Sequence, residues 1–108
     1  MVQRIGFRLQ IKTELMDEYV HRHTIVWEDM LQALSQSGWT NYSLFLDRTD
    51  GTLFGYFETA DVDRAFSGMA ETEVNVRWQK EMSKYFVDLA GRKPDEGMQM
   101  LEQVFFLE

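Results

Sequence analysis

The sequence predicts an α+β fold in which an antiparallel sheet is covered by helices on one face. Strand-like segments, in which apolar and polar residues alternate, and helix-like segments follow one another in the order β-α-β-β-α-β over 108 residues. The two middle strands are joined through Asp50-Gly51, a pair that is typical of a tight hairpin turn. This order is that of ferredoxin-like domains, and residues 1–108 are predicted to form one such domain.

The first strand and the first helix are predicted from a change of period near residue 12. Apolar residues alternate with polar or small ones from Ile5 to Ile11, as in a strand that is buried on one face. Thr13 can cap the helix that follows, which is predicted to run from about Glu14 to about Gln36. Gly38 supplies its end.

The hairpin consists of a strand from Tyr42 to Leu46 and a partner from Leu53 to Glu58. Both of its faces carry large apolar side chains, whereas helices can cover only one face of the sheet. The second face therefore needs another cover. We expect a homodimer in which two sheets face each other as a dimeric α/β-barrel.

The second helix of the predicted order is broken into two parts. The first part begins at Asp61 and runs through Met69. Thr72 can cap the second part, from about Glu73 to Phe86. The stretch from Asp88 to Gly97, which contains the only proline, is predicted to be irregular, and Leu101 to Leu107 is predicted to form the final strand.

Composition and charge exclude several classes of function. The net charge is −7, with 11 Lys and Arg against 18 Asp and Glu, so nucleic acid and anionic membranes would be repelled. No cysteine is present, which excludes disulfides, thiolate catalysis and cysteine-ligated metal sites. The N-terminus alternates in polarity like a strand and no apolar run approaches a membrane span, so a cytoplasmic location is expected.

The only two histidines lie close together in the stretch EYVHRHTIVWEDM. On a helix, Tyr19 and His23 are four residues apart and share one face, whereas His21 points to roughly the opposite side. One metal ion therefore cannot be held by both histidines, and His21 is expected to be exposed. His23 is either a core histidine bonded to a carbonyl or, with Tyr19, a proton-transferring group at a pocket.

Two further aromatic residues are compatible with a pocket for an uncharged polyol. Tyr42 begins a strand and could present its hydroxyl at the strand end, although its position slightly favours a rim tyrosine without such a role. Trp78 lies on the second helix, where an isolated tryptophan usually belongs to the core. Aromatic faces stack on the C–H faces of sugars. A pocket built from Tyr, His and Trp side chains would therefore suit a sugar.

Four segments of the sequence resemble the L-rhamnose mutarotase family, and the resemblance covers nearly the whole chain. They are EYVHRHTIVWEDM, NYSLFLD, TEVNVRWQKEM and the closing LEQVFFLE. The resemblance implies a dimeric ferredoxin-like α/β-barrel that interconverts the α and β anomers of L-rhamnose or a closely related deoxy-sugar. It also implies that the enzyme uses no metal and no organic cofactor.

The resemblance also implies roles for particular residues. The histidine of the Y-x-x-x-H motif is the family's proton donor, which places this role on His23. Sugar contacts fall on Tyr19, Tyr42 and Trp78. In the family a second tryptophan follows the first, but this sequence has Gln79 there, so the substrate contact at that position is altered.

Two alternatives to a mutarotase belong to other functional classes. The ferredoxin-like dimer also occurs in small monooxygenases and heme-binding proteins. If this chain were such a protein, His23 could be the axial ligand of the heme iron. A non-catalytic sugar-binding dimer is the other alternative. It would bind the sugar without accelerating the exchange of its anomers.

Overall fold

A computed structural model describes residues 2–87 and 89–108, so Met1 and Asp88 lie outside the described residues. The strands and helical segments follow one another in the order that the sequence predicts. Both helical segments are divided in two, whereas the sequence predicted a division only in the second. The elements are β1 Gln3–Gln10, α1 Met16–Arg22, α2 Glu28–Gln36, β2 Thr40–Asp47, β3 Thr52–Thr59, α3 Val62–Ala70, α4 Glu73–Met82 and β4 Gln99–Leu101. Three single 3-10 turns lie at Thr13–Leu15, Ser83–Tyr85 and Pro94–Glu96.

The four strands form one antiparallel sheet in the order β2-β3-β1-β4, which confirms the ferredoxin-like prediction. β1 pairs with β3 along its whole length, from Gln3 opposite Thr59 to Gln10 opposite Thr52. Gly51, with a φ of 81°, closes the β2–β3 hairpin, and its N–H donates to the Asp47 carbonyl at 2.8 Å. Glycine adopts this left-handed conformation at little cost, which explains the Asp-Gly pair.

The hydrophobic core lies between the sheet and the helices. Alternation along β1 and β3 directs Phe7 and Phe57, both fully buried, towards the helices. The indole of Trp39 stacks on Phe57 with ring centroids 3.8 Å apart, and its Nε1–H donates to the Ala65 carbonyl at 2.9 Å. These contacts anchor α3 against the sheet.

The opposite face of the sheet carries exposed aromatic residues. Phe45 on β2 and Phe54 on β3 are paired across the two strands, and their side chains are 63 % and 42 % exposed. Both faces of the hairpin are thus apolar, as the sequence predicts, and the helices bury only one of them.

The prediction of one continuous helix from Glu14 to Gln36 is wrong. The chain leaves the helix at His23 and re-enters it at Glu28. Thr24, Ile25 and Val26 are three β-branched residues in succession, which lowers helix propensity. The Thr24 hydroxyl also donates to the His21 carbonyl at 2.7 Å, which helps to end the turn.

One of the two predicted caps, Thr72, is confirmed, and Asp61, which was predicted only to begin a helix, also acts as a cap. Asp61 caps α3 by accepting a hydrogen bond from the Arg64 N–H at 3.2 Å, and Thr72 caps α4 by accepting from the Asn75 N–H at 3.3 Å. Thr13 is not a cap, because it lies inside the first 3-10 turn and the helix that follows begins only at Met16.

The predicted ends of α4 and of the last strand are also wrong. α4 ends at Met82, because the chain tightens into a 3-10 turn and Phe86 then bridges to Ile11 as extended chain. The final strand is Gln99–Leu101 rather than Leu101 to Leu107. Beyond Leu101 the apolar tail pairs with no strand of the described residues, and strand-forming side chains need such a neighbour. No helix within the described residues is long and apolar enough to cross a membrane.

Candidate active site

His23 lies at the C-terminal end of α1, where the helix is capped by its own backbone. Its N–H donates to the Val20 carbonyl at 3.1 Å. The imidazole Nδ1 lies 3.0 Å from the Tyr19 carbonyl oxygen. Because a carbonyl oxygen only accepts hydrogen bonds, Nδ1 carries the hydrogen in this contact. Nε2 is then the nitrogen with a free lone pair, and it has no hydrogen-bond partner among the described residues.

The surroundings of His23 favour its neutral form. Burial lowers the pKa of His23 from its ordinary value, and the positive charge of Arg22 lowers it further. The hydrogen bond to the Tyr19 carbonyl acts in the opposite direction but is the smaller effect. At pH 7 the side chain is therefore a neutral imidazole whose Nε2 can accept a proton.

Tyr19 is packed directly against His23, which confirms that they share one side of α1. The two rings lie 4.3 Å apart between centroids, and Tyr19 is 5 % exposed. Tyr85 and Phe86 pack edge-on against Tyr19 and hold it in place. Burial raises the pKa of the Tyr19 phenol, and Tyr42 raises it further, so the hydroxyl stays protonated.

A cavity of about 310 Å³ opens between the helices and the sheet. His23, Tyr42, Trp78 and Gln79, which are four of the five predicted site residues, line it. Its volume is at the lower end of the ~300–1,000 Å³ that is usual for ligand pockets, which suits a small molecule such as a monosaccharide.

The fifth predicted residue, Tyr19, does not line this cavity. A second space of about 50 Å³ is lined by Tyr19 together with His23, Tyr42 and Trp78. Tyr19 therefore belongs to the layer behind His23. A direct contact between Tyr19 and a sugar stays a prediction.

The indole of Trp78 forms an aromatic wall next to His23. Its ring lies edge-on to the imidazole at 5.6 Å and to Trp27 at 5.0 Å between centroids, and it is 6 % exposed. Trp78 is thus a core residue and a cavity residue at once, so the two interpretations of its sequence position are compatible. An apolar wall of this kind can pack against the C–H face of a sugar ring.

Tyr42 lies on β2 and faces the same cavity as His23. Its ring packs against Trp39 with centroids 5.0 Å apart. Burial raises the pKa of its phenol, and the negative charge of Asp95 adds to the rise. The Tyr42 hydroxyl is therefore a hydrogen-bond donor throughout the neutral pH range.

Gln79 lines the cavity but also holds other groups in place. Its Nε2 donates to Asn75 Oδ1 at 3.0 Å, and its Oε1 accepts from the Asp95 N–H at 3.2 Å. Its amide thus joins α4 to the Pro94–Glu96 turn. Any contact between Gln79 and a substrate would come in addition to these two bonds, and it stays a prediction.

Asn75 and Asp95 line the cavity as well, although sequence reasoning did not find them. Asn75 was detectable, because it lies three and four residues before Trp78 and Gln79 and so shares their helix face. Asp95 lies in a segment without a helix-like or strand-like spacing of apolar residues, so the sequence does not indicate which way its side chain points. Its approach to α4 is a tertiary contact that the local sequence does not encode.

His21 is exposed, as its spacing predicts. Among residues 2–87 and 89–108, no group of three or more His, Asp and Glu side chains is placed to hold a metal ion. The polar groups that reach the cavity include one imidazole, one phenol, two amides and one carboxylate. Such a set can bind hydroxyl groups and move protons between them.

Comparison of the chain with known proteins identifies its family. A profile of the L-rhamnose mutarotase family matches residues 4–107. The chain belongs to the L-rhamnose mutarotase family. The L-rhamnose mutarotase of Pectobacterium carotovorum is 35 % identical over 107 residues, covering 97 % of this chain and 98 % of that protein. The L-rhamnose mutarotase of Oceanobacillus iheyensis is 41 % identical over 81 residues, covering 75 % of this chain and 77 % of its own length.

Solved structures agree with this membership in the L-rhamnose mutarotase family. The crystal structure of an L-rhamnose mutarotase from Formosa agariphila matches with a TM-score of 0.80 and 25 % identity, covering 98 % of this chain and 99 % of that one. An antibiotic biosynthesis monooxygenase matches with a TM-score of 0.62 and 18 % identity, covering 96 % and 99 %. The second likeness shows the shared ferredoxin-like fold alone.

Proposed function

We propose that this protein is a mutarotase that interconverts the α and β anomers of L-rhamnose, with His23 as the catalytic general acid and base. The observation that carries the proposal is the position of His23. Its Nδ1 is occupied by the Tyr19 carbonyl, its Nε2 is free, and its ring lines a cavity of monosaccharide size. The family's activity supplies the reaction, and the functional unit is the domain formed by residues 1–108.

The proposed reaction uses one proton and returns it. Nε2 of neutral His23 takes the proton of the anomeric hydroxyl while the bond between C1 and the ring oxygen breaks, with its electron pair left on that oxygen. The resulting imidazolium then gives the proton to the ring oxygen, which restores the neutral imidazole. The open-chain aldehyde rotates about its C1–C2 bond, and the reverse steps close the ring with either configuration at C1.

The remaining cavity residues have binding roles in this proposal. Trp78 presents its ring to the apolar side of the sugar, and Tyr42 donates a hydrogen bond to one of its oxygens. Tyr19 fixes the orientation of the imidazole through its carbonyl and ring. Gln79 acts by holding the cavity wall in place, because both ends of its amide are already bonded.

Anomer exchange of L-rhamnose can be measured directly by saturation-transfer NMR between the α and β anomeric proton signals. The purified protein should raise the exchange rate above that of buffer, and a His23→Gln variant should not. Equal exchange with and without protein would refute the proposal. Binding of L-rhamnose without faster exchange would identify a non-catalytic sugar-binding protein instead.

The monooxygenase or heme-binding alternative is supported only by the shared fold. It makes a distinct prediction, because a histidine ligand would give the hemin complex a Soret band. Titration of the protein with hemin, compared with titration of the His23→Gln variant, separates the two functions. The mutarotase proposal expects no His23-dependent band.

We also propose that the protein is a cytoplasmic homodimer that associates through the uncovered face of the sheet. Phe45 and Phe54 are exposed there, and an exposed apolar patch of this kind is typical of an interface. The C-terminal tail adds Phe105, which is 77 % exposed, and Phe106, whose ring lies 3.7 Å from the Arg4 guanidinium carbon. A second copy of the chain would bury all of these groups.

Cell fractionation would test the proposed cytoplasmic location.

A further inference from the structure

The carboxylate of Asp95 forms part of the cavity wall without having a complete set of hydrogen-bond partners. Its Oδ2 accepts a hydrogen bond from Asn75 Nδ2 at 3.0 Å. Its Oδ1 is shielded from solvent and accepts no hydrogen bond from any residue within 2–87 or 89–108. A buried carboxylate oxygen without a donor is unfavourable, so the site is completed by a donor that comes from outside this set of residues.

Asn75 and Gln79 hold this carboxylate in a fixed position. Both are buried, at 3 % and 8 % exposure, and they lie one helical turn apart on α4. Gln79 Oε1 accepts from the Asp95 N–H at 3.2 Å, and Gln79 Nε2 donates to Asn75 Oδ1 at 3.0 Å. The backbone and one carboxylate oxygen of Asp95 are therefore anchored to α4, while the other oxygen has no donor among the described residues.

The cavity offers no positive charge to complete Asp95. No lysine or arginine is among the residues of the described chain that line it. Tyr42 and Asp95 both line this cavity, and the negative charge of Asp95 helps to raise the pKa of the Tyr42 phenol. Aromatic walls beside one carboxylate suit a neutral ligand that is rich in hydroxyl groups, since a hydroxyl donates to the carboxylate and C–H groups pack on the rings.

We propose that Asp95 is a substrate-binding residue whose Oδ1 accepts a hydrogen bond from a ring hydroxyl of the bound sugar. Asn75 and Gln79 are the positioning residues that aim this oxygen. The inference rests on the proposed function in one respect, which is that the ligand of the cavity is a sugar. It gives the Gln79 that replaces the family's second tryptophan a role of its own, since a tryptophan could not hold the Asp95 turn in this way.

The test compares sugar binding by the wild type and by an Asp95→Asn variant. Asparagine keeps the size of the side chain and can still accept from Asn75, but it replaces the open acceptor with an NH₂ group. A change in tryptophan fluorescence, to which Trp39 and Trp78 in the cavity wall contribute, would report binding of L-rhamnose. The variant should bind at least about tenfold more weakly, which is the size expected for a hydrogen bond to a charged group, while its Tm stays within a few degrees. An Asp95→Ser variant provides a second comparison if the first folds poorly.

Sugar analogues show whether the lost contact is one to a hydroxyl. L-Rhamnose is compared with its 2-, 3- and 4-deoxy analogues and with 1,5-anhydro-L-rhamnitol, which lacks the anomeric hydroxyl. One analogue should bind the wild type about tenfold more weakly and should lose no further affinity on Asp95→Asn substitution. If every analogue loses as much as L-rhamnose does on this substitution, Asp95 does not contact a ring hydroxyl.

A Gln79→Met variant tests the positioning role. It should weaken L-rhamnose binding in the wild-type background but not in the Asp95→Asn background. A merely structural role would lower the Tm and would weaken binding equally in both backgrounds.

The outcomes separate this inference from the proposed function. A wild type that speeds anomer exchange while Asp95→Asn binds as tightly as it does would overturn the role of Asp95 alone. A wild type that binds L-rhamnose through Asp95 without speeding exchange would overturn the mutarotase activity alone. A wild type that binds none of these sugars would overturn both.

Discussion

The imidazole Nδ1 of His23 lies 3.0 Å from the backbone carbonyl oxygen of Tyr19, and the rings of the two residues lie 4.3 Å apart. The carbonyl belongs to the last turn of α1, where carbonyl groups lack partners within the helix. His23 satisfies one of them, and in doing so fixes its own tautomer and ring orientation. The end of the helix thus holds the imidazole so that Nε2 is left without a hydrogen-bond partner while the ring lines the cavity.

Replacement of His23 should remove most of the catalysis and leave the fold intact. A His23→Gln variant loses the proton-accepting nitrogen, and general acid–base groups typically contribute about 10²–10⁴-fold to a rate. We expect a loss of this size in the NMR exchange rate of L-rhamnose. His21→Gln is the matched control, because His21 is exposed on the same helix, and it should exchange anomers at the wild-type rate.

The pH dependence of exchange follows from the lowered pKa of His23. The reaction needs the neutral imidazole, and burial extends the range of that form to pH values below the ordinary histidine pKa of about 6.5. Enzyme-dependent exchange should therefore stay constant as the pH falls to that value and should decline only below it. NMR exchange rates, corrected for the rate in buffer, provide the profile.

An Arg22→Gln variant tests the cause of this shift. The Arg22 charge contributes to the lowering of the His23 pKa, so its removal should move the acid limb of the profile towards higher pH. Two results would contradict the assignment of the acid limb to His23. One is an acid limb that lies at the same pH in the variant and in the wild type. The other is a wild-type acid limb centred at or above the ordinary histidine pKa.

The sequence predicted the order of the elements because local signals mark the first strand and the hairpin. Alternation along β1 and the Asp50-Gly51 turn are local signals, and local signals were sufficient for the sheet and the hairpin. The pairing of Tyr19 with His23 was also predictable, since residues four apart meet on any single helical turn. α1 and its cap supply that turn even though the long helix is broken.

The remaining features depend on contacts that have no local signature. In the sequence, apolar residues recur at three- and four-residue steps from Met16 to Leu34, so the spacing gives no sign of the break in the helix. Val26 and Trp27 keep this spacing and pack against the core, although they lie between α1 and α2. Val20 and Leu31 fit the same spacing in the sequence, but they are 37 % and 50 % exposed. Asp95 reaches the cavity only because Gln79 and Asn75 bind its turn from a distant helix.

The close approach of Phe7 to Gly55 predicts a sharp difference between two glycines of the sheet. A Cβ on Gly55 would fall against the Phe7 ring, whereas a Cβ on Gly6 would meet its nearest atoms at 3.9 Å. Gly55→Ala should therefore lower the free energy of unfolding by about 1–3 kcal/mol through overpacking. Gly6→Ala should change it little. Urea unfolding followed by circular dichroism compares the two variants, and equal effects would contradict this account.

The paired rings of Phe45 and Phe54 make the dimer proposal testable with one substitution. A Phe45→Lys variant places a charge on the uncovered sheet face, where burial against a second copy would leave it desolvated. Light scattering should give twice the chain mass of 12.8 kDa for the wild type and that mass itself for the variant. Ile25→Lys is the matched control, because Ile25 is 65 % exposed against 63 % for Phe45 but lies in the α1–α2 connection. A wild type that stays monomeric at every concentration, or an Ile25→Lys variant that dissociates as readily as Phe45→Lys, would show that this face is not the interface.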